Sequence, residues 1–387
     1  MLETNTASGS PLQPHRKKVS WPFTFILFAV LVPIVAALLL YRLDSLDPAP
    51  LPQHELAGPL ATAPARNDRL LHGSEFVGAG SLLGPEDVAY DSKSGLIYTG
   101  CADGWIKRVR LNESATDSVV ENWVNTGGRP LGLAHGLHNE VIVADVVKGL
   151  LSINEGRVVE LLTDEAEGVK FNLTDFVDIA KDGMFYFTDA SHKYSLKDAD
   201  VDILEGKPNG RLLSYNPTTK QTKVLLSDLY FANGVVVSPD QNSLIFCETT
   251  MRRCRKYHLQ GKNKGKVEKF IDRLPGMPDN IRYDGEGLYW IALCQEITPF
   301  LDFAYRYPFI RKGLAILQRY GAPPLKEKNS GVFAVDLEGK PVAHYYDPGL
   351  SKITSGIKIG NHLYCGSVVN SYILRLDLEK YAARSTK

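Results

Sequence analysis

The sequence predicts an all-β protein, a six-bladed β-propeller with one N-terminal transmembrane helix and a small helical insertion. Three observations predict it: six copies of a short strand–turn–strand pattern, a near-constant spacing between most of them, and one charge-free apolar run ahead of them all.

The apolar run comes first in the chain. Trp21 to Tyr41, WPFTFILFAVLVPIVAALLLY, contains no charged residue and is long enough, as a helix, to cross about 30 Å of hydrocarbon. His15, Arg16, Lys17 and Lys18 precede it, and Arg42, Asp44 and Asp47 follow. The bias of basic residues toward the cytosolic side therefore places residues 1–20 in the cytosol and everything after residue 41 in a lumen or outside the cell. The apolar core exceeds that of a typical cleaved signal, and no small-x-small site follows it, so the segment is expected to remain as a signal anchor. The expected location is that of a single-pass type II membrane protein of the endomembrane system: endoplasmic reticulum, vacuole or plasma membrane. Residues 42–70, rich in Pro, Ala and Leu, are expected to form a stalk. The propeller is expected over 71–387.

The repeats start near Gly84 (GPEDVAYDSKSGLIYTG), Gly128, Phe171, Phe231 (FANGVVVSPDQNSLIFCE), Gly276 (GMPDNIRYDGEGLYWIAL) and Ser351, with three of the five spacings at 44, 43 and 45 residues. Strands of four to six residues at that interval suit one four-stranded blade per repeat. Two longer intervals mark insertions, His192–Gly206 and Ile297–Asn329. The second contains FLDFAYRYPFIRKGLAILQRY, whose apolar side chains recur at helical spacing. A helix packed on the propeller is the first expectation for it; a lid over a pocket, or a face lying on the membrane, is the alternative.

Aligned on their first strands, the repeats place Glu86, Leu131, Asp175, Asn233, Asp279 and Ser355 in one slot. The slot opens the innermost strand of each blade, so its residues are expected to circle one mouth of the central channel. Four of the six carry carboxylate or carboxamide oxygens, and Asn280 beside Asp279 adds another. Oxygen donors converging from separate strands are what Ca²⁺ requires, and the carboxylates repel one another without a cation between them. Strand-end capping by Asp and Asn is the competing explanation.

Acidic and basic residues balance at 44 each, which gives no field to attract nucleic acid. There is no G-x-S-x-G, H-E-x-x-H or phosphate-binding glycine loop. His135 and His138 read as solvated turn residues, and His192 as a residue near a channel mouth. Cys247 and Cys254 flank a turn and can face each other across a hairpin. Cys101 and Cys365 hold similar second-strand positions in the first and last blades. Asn112-Glu-Ser and Asn172-Leu-Thr are sequons compatible with lumenal glycosylation.

The segments GPEDVAYD, FANGVVVSPDQNSLIFCETTMRRCRKY and GMPDNIRYDGEGLYWIAL resemble the strictosidine synthase-like proteins of plants and their animal relative, the adipocyte plasma membrane-associated protein, from about Gly84 to Leu378. More distantly the blade pattern is similar to gluconolactonase and serum paraoxonase, six-bladed calcium-dependent hydrolases. That resemblance implies calcium ligands at Glu86, Asn233 and Asp279, a further ligand at Asn280, and Asp175 where those enzymes usually carry Asn. It implies an ion that polarises an ester or lactone carbonyl, with Asp279 as general base toward water. Leu131 stands where paraoxonase has a histidine. Ser355 stands where strictosidine synthase has its catalytic glutamate, so the condensation of an amine with an aldehyde is disfavoured. A calcium-dependent esterase or lactonase is the leading expectation; a condensing enzyme and a non-catalytic binding propeller are the alternatives.

Overall fold

The computed structural model describes residues 21–321 and 328–385. The chain forms two units, Met1–Leu46 and Asp47–Lys387. In the first, helix α1 (Trp21–Leu43) runs two residues past the expected end of the apolar run. Residues Phe25–Leu43 have a mean hydropathy of 2.5 and none of them is buried. A helix apolar on every side has no core-facing stripe, and its 23 residues rise about 35 Å, enough to cross a membrane. The basic flank His15–Lys18 lies outside the described residues.

The second unit is a ring of six sheets, each built on four antiparallel strands. The innermost strands are Ala89–Asp91, Pro130–His135, Thr174–Ile179, Ala232–Val237, Gly276–Tyr283 and Ile353–Ile359, one per blade in chain order. Second strands such as Val141–Asp145, Phe185–Asp189 and Ser243–Glu248 are buried at every residue. They are sandwiched between neighbouring blades, which is why they are largely apolar, with their polar residues mostly at the strand ends. The outer strand Val159–Thr163 has no buried residue, and Val159 and Leu161 are among its exposed side chains. Cys247 and Cys254 pair directly across the second and third strands of blade four and form a disulfide. Cys101 and Cys365 are buried free thiols.

Ring closure joins the two ends of the second unit. Glu75–Val77 supplies the outermost strand of the sixth blade, antiparallel to Ile373–Asp377. Arg375, buried in this seam, donates from Nε to Glu75 (2.7 Å) and from its two terminal nitrogens to the Asn112 and Glu113 carbonyls (2.8 and 2.5 Å).

The expected stalk is largely part of the propeller. Ala65–Asn67 pairs in parallel with Pro341–Asp347 of blade five, and Arg384–Ser385 adds on its far side. Leu51, Leu56, Ala63 and Leu70 are all buried. Apolar side chains at those points bury area against the sheets at roughly 25 cal/mol per Å², a gain that a free spacer forgoes. Helix α2 (Gln53–Leu56) belongs to the same stretch, its Gln53 Nε2 donating to the Tyr305 carbonyl at 3.1 Å.

Both insertions are helical. The first, in blade three, carries α3 (Ala199–Glu205), stopped by Gly206 in the left-handed region at φ 62°. The second, in blade five, is two helices rather than one: α4 (Pro299–Arg306) and α5 (Pro308–Arg319). Pro308 lacks an N–H and forces Tyr307 into an extended conformation, which breaks the run. Thr298 caps α4, its hydroxyl accepting from Leu301 N at 3.2 Å. Arg311 of α5, fully buried, donates Nη1 to the Leu204 and Glu205 carbonyls at 2.8 and 3.1 Å, so its charge sits at the C-terminus of α3.

Truncating Arg375 to Ala strands the Asn112 and Glu113 carbonyls and uncouples Glu75. Its urea midpoint is expected to fall by the equivalent of about 2–4 kcal/mol, against about 0–1 kcal/mol for the exposed ion-pair residue Arg157→Ala. Equal losses in the two variants would contradict this account of closure.

Candidate functional site

Regular pairing fails at one place in most of the innermost strands. The register shifts between Pro130 and Leu133, Thr174 and Val177, Ala232 and Val235, Pro278 and Ile281, and Ile353 and Ser355. In blade one the paired strand starts only at Ala89, beyond Glu86. Residues inside such irregularities are released from the ladder and can be re-aimed. In blades two to five these are the slot residues Leu131, Asp175, Asn233 and Asp279.

With Glu86 from blade one, they line a cavity of about 110 Å³ at one mouth of the channel. Gly132 and Gly234 let the inner strands crowd together there: a Cβ on Gly132 would lie 2.7 Å from Phe176 Cα, and one on Gly234 2.4 Å from Ile281 N. Phe231 and Lys352, each two residues before a cavity-lining residue, hold left-handed backbone at φ 59° and 52°, a costly conformation for residues with a Cβ.

One slot assignment is corrected in blade six. Thr354, not Ser355, lines the cavity, its hydroxyl donating to the Glu86 carbonyl at 2.7 Å. Ser355 points one layer deeper and donates to Asp87 Oδ1 at 2.9 Å. Asn280 also lies behind the lining, fully buried, with Nδ2 donating to Glu86 Oε1 at 2.7 Å.

Burial and mutual repulsion dominate the electrostatics. Glu86 is held well above the usual carboxyl range, first by burial and then by Asp87, Asp279 and Asp175, with Arg129 opposing. Asp175 is raised by burial, then by Asp279, Asp189 and Asp87. Burial pushes Asp279 up to about 7 against a hydrogen bond from Asn233 and the charge of Lys352. Three acceptor oxygens in this group, Glu86 Oε2, Asn233 Oδ1 and Asn280 Oδ1, are buried without a hydrogen-bond donor.

Buried acceptors without donors are costly unless something positive meets them. Among the described residues no group of three or more His, Cys, Asp or Glu forms a metal-holding cluster. The fit to a cation therefore rests on the mixed set of carboxylates Glu86, Asp175 and Asp279 with carboxamides Asn233 and Asn280. Hard oxygen donors of that kind suit Ca²⁺.

Beneath this ring lies a second polar layer that the slot comparison does not reveal. Fully buried Asp87 forms an ion pair with Arg282, Nε to Oδ1 at 3.0 Å, and also accepts from Leu133 N at 2.9 Å. The Arg282 guanidinium stands 4.8 Å over the Phe176 ring and donates to the Leu133 carbonyl at 2.7 Å. The signal in sequence is a charged residue beside apolar ones near an inner strand, Asp87 before Val88 and Arg282 between Ile281 and Tyr283. Lys352 and Thr354 are further cavity residues without an earlier signal.

Above the ring the walls are apolar, with Leu131, Leu173, Phe231, Met277 and Val368, and Leu196, Ala199 and Ile203 of the first insertion also line the cavity. That insertion forms part of the pocket directly, and α5 braces it through Arg311. No histidine lines the cavity among the described residues. His135 Nε2 lies 3.4 Å from the Ala89 carbonyl, which accepts from it, and the ring packs edge-on against Tyr98, while His192 Nδ1 lies 2.7 Å from the Asn209 carbonyl. Asn112 and Asn172 are both exposed.

Comparison with known proteins agrees with this architecture. The family model described as strictosidine synthase matches residues 175–262, and the strictosidine synthase-like N-terminal model matches 65–109. The chain is 56% identical to Protein strictosidine synthase-like 6 of Arabidopsis thaliana over 365 residues, covering 94% of this chain and 98% of that one. It is 32% identical to the adipocyte plasma membrane-associated protein of Homo sapiens, covering 92% and 90%. Among solved structures it is similar to a gluconolactonase of Xanthomonas campestris, with a TM-score of 0.57 and 14% identity over 83% of this chain and 98% of that one. It is also similar to a calcium-binding regucalcin of Agrobacterium tumefaciens, with a TM-score of 0.52 and 16% identity over 76% and 90%. At such identities the structural likeness is one of fold.

The raised carboxyls carry a signed pH dependence. In the folded state they keep protons that the unfolded chain releases near pH 4, so their stabilising protonation is lost as the pH rises through the folded value, about 7 for Asp279. His344, which burial pushes down to about 3, acts in the opposite sense below its ordinary value. The comparison is therefore made against Asp279→Asn in the presence of a chelator. That variant is expected to gain stability over the native chain as the buffer goes from about pH 5 to about pH 7.5. Parallel melting curves at all pH values would contradict the assignment.

Proposed function

The chain belongs to the strictosidine synthase-like family, and from that premise we propose that it is a membrane-anchored, calcium-dependent hydrolase of small apolar esters or lactones. One observation carries the reading. Glu86 Oε2, Asn233 Oδ1 and Asn280 Oδ1 are buried acceptors without donors; Glu86 and Asn233 line an apolar-walled cavity with Asp175 and Asp279, and Asn280 stands behind them on Glu86. Glu86, Asp175, Asn233, Asp279 and Asn280 would hold the ion. When bound, Ca²⁺ supplies a Lewis acid that polarises a carbonyl oxygen.

The remaining roles fall to the chain's own residues. Leu131, Leu173, Phe231, Met277 and Val368 offer an apolar surface to the acyl or aryl part of a substrate. Leu196, Ala199 and Ile203 narrow the access of water from the side of the insertion. Asp279, which lines the cavity, would accept a proton from water at its carboxylate oxygen. The fold shared with a gluconolactonase and a calcium-binding regucalcin supports the reaction class. A condensing reaction is disfavoured, because blade six brings Lys352 and Thr354 to the cavity and no carboxylate.

The anchor reading is supported by the length and apolarity of α1 and by a relative named as plasma membrane-associated. The Cys247–Cys254 bridge suits an oxidising lumen. With the propeller lumenal, Asn112 and Asn172 are expected to carry glycans in a eukaryotic host. Endoglycosidase treatment should then sharpen the full chain on a gel, and Asn112→Gln with Asn172→Gln should abolish that shift. An unglycosylated chain that resists protease in sealed microsomes only after they are inverted would contradict the topology.

Activity is tested on a panel of aryl acetates and lactones. Hydrolysis is expected, with a loss of about 10²-fold or more on calcium removal or in Asp279→Asn, recovered in the native chain when calcium is returned. Turnover indifferent to both treatments would overturn the mechanism. Calcium-dependent stability without turnover on any substrate would instead favour a binding propeller.

A further inference from the structure

Helices α4 and α5 are apolar on two faces. One face packs inward, with Leu301, Ala304 and Tyr305 of α4 and Arg311, Ala315 and Ile316 of α5 buried. The other is exposed: Phe300 and Phe303 of α4, Tyr307 between the two helices, Phe309 and Leu317 of α5 and Tyr320 just past its end are each 41–63% open to solvent. The rings of Phe303, Tyr307 and Phe309 are in mutual contact, with centroids 4.9 and 5.7 Å apart, so the two stripes meet as one ridge. Scattered exposed apolar residues need no explanation, but a contiguous aromatic ridge does.

The start of the propeller indicates what covers it. Ala49 N donates to the Glu205 carbonyl at the end of α3 at 2.9 Å, and the Ala49 carbonyl accepts from Arg311 of α5. Ala49 is only six residues beyond Leu43, the last residue of α1, and six extended residues reach at most about 20 Å. The helical hairpin thus stands where the chain enters the propeller from its span. Arg306, Lys312 and Arg319 are interspersed with the aromatic residues, and Asp302 is the one acidic residue between Pro299 and Tyr320. Exposed aromatic residues interspersed in sequence with basic ones are the composition that lies in a lipid headgroup layer.

We infer that the exposed ridge of α4 and α5 lies in the interface of the same bilayer that α1 spans. The inference rests on the anchor reading given above. It adds an orientation: α5 grips α3, and α3 lines the cavity, so the docked hairpin holds the cavity's helical wall close to the lipid. Apolar esters dissolved in the membrane would then reach the site without crossing bulk water.

The test uses the full chain in lipid vesicles, with single cysteines introduced as Phe309→Cys, Leu317→Cys or, on the outer strand of blade two, Leu161→Cys. Each is labelled with an environment-sensitive fluorophore, with the unsubstituted chain as the blank for its native thiols. Lipid carrying a nitroxide near the headgroup is expected to quench the labels at 309 and 317 by about half or more and to leave that at 161 unchanged. Substituting exposed Phe300→Ser and Phe303→Ser should weaken quenching at 317. Labels at 309 and 317 as unquenched as that at 161, in chains that resist alkaline carbonate extraction, would overturn the inference and assign the ridge to a protein partner. Chains released by carbonate would overturn the anchor reading, and the inference with it.

Discussion

Like charges converging on one axis are the constraint on which the rest of this structure depends. A closed ring of six sheets brings one residue near the opening of each inner strand to a common cavity, and here those residues include Glu86, Asp175 and Asp279. Burial raises the proton affinity of all three carboxyl groups, and the charge of Asp279 adds to it at Glu86 and Asp175. The carboxamides between them leave oxygens without donors. Such an arrangement costs stability in the ring itself, since native interiors rarely leave buried acceptors unmet. It is explained if the fold is built to receive a cation, which turns the same repulsion into binding energy.

The layers around the ring follow from that constraint. One step deeper, Asp87 is neutralised within the chain by Arg282 and held by Ser355 and Leu133. The two layers thus differ in kind: the lower is satisfied by protein, the upper is not. One step outward, the helical insertions cover an apolar wall and are fixed to each other by the buried guanidinium of Arg311. Closure by Glu75–Val77 on blade six keeps the six sheets at a fixed distance from the axis.

Much of this was legible in the sequence because a propeller repeats. A residue at a fixed offset from a recurring apolar strand can be compared across blades, and that comparison finds Glu86, Asp175, Asn233 and Asp279. The same method misplaced Ser355 by one residue, since the break in pairing at Ile353/Ser355 shifts which side chain faces the axis. It passed over Asp87, whose partner Arg282 is 195 residues away, so no local pattern links them. Residues 42–70 look like a spacer by composition, yet Leu51, Leu56 and Leu70 find burial against segments distant in sequence. The two-helix form of the second insertion was signalled by Pro308, but its double apolar face emerges only when the buried side is known.

Calcium titration of the full chain near pH 7 by calorimetry, in two buffers of different ionisation enthalpy, tests the central claim most directly. Carboxyls that hold protons in the metal-free ring must release them when an ion takes their place, so about one calcium per chain is expected to bind with release of about one proton or more. Asn233→Ala, which removes a neutral donor, should weaken the uptake while keeping the proton release. Absence of calcium uptake, or uptake with no proton released, would contradict the account.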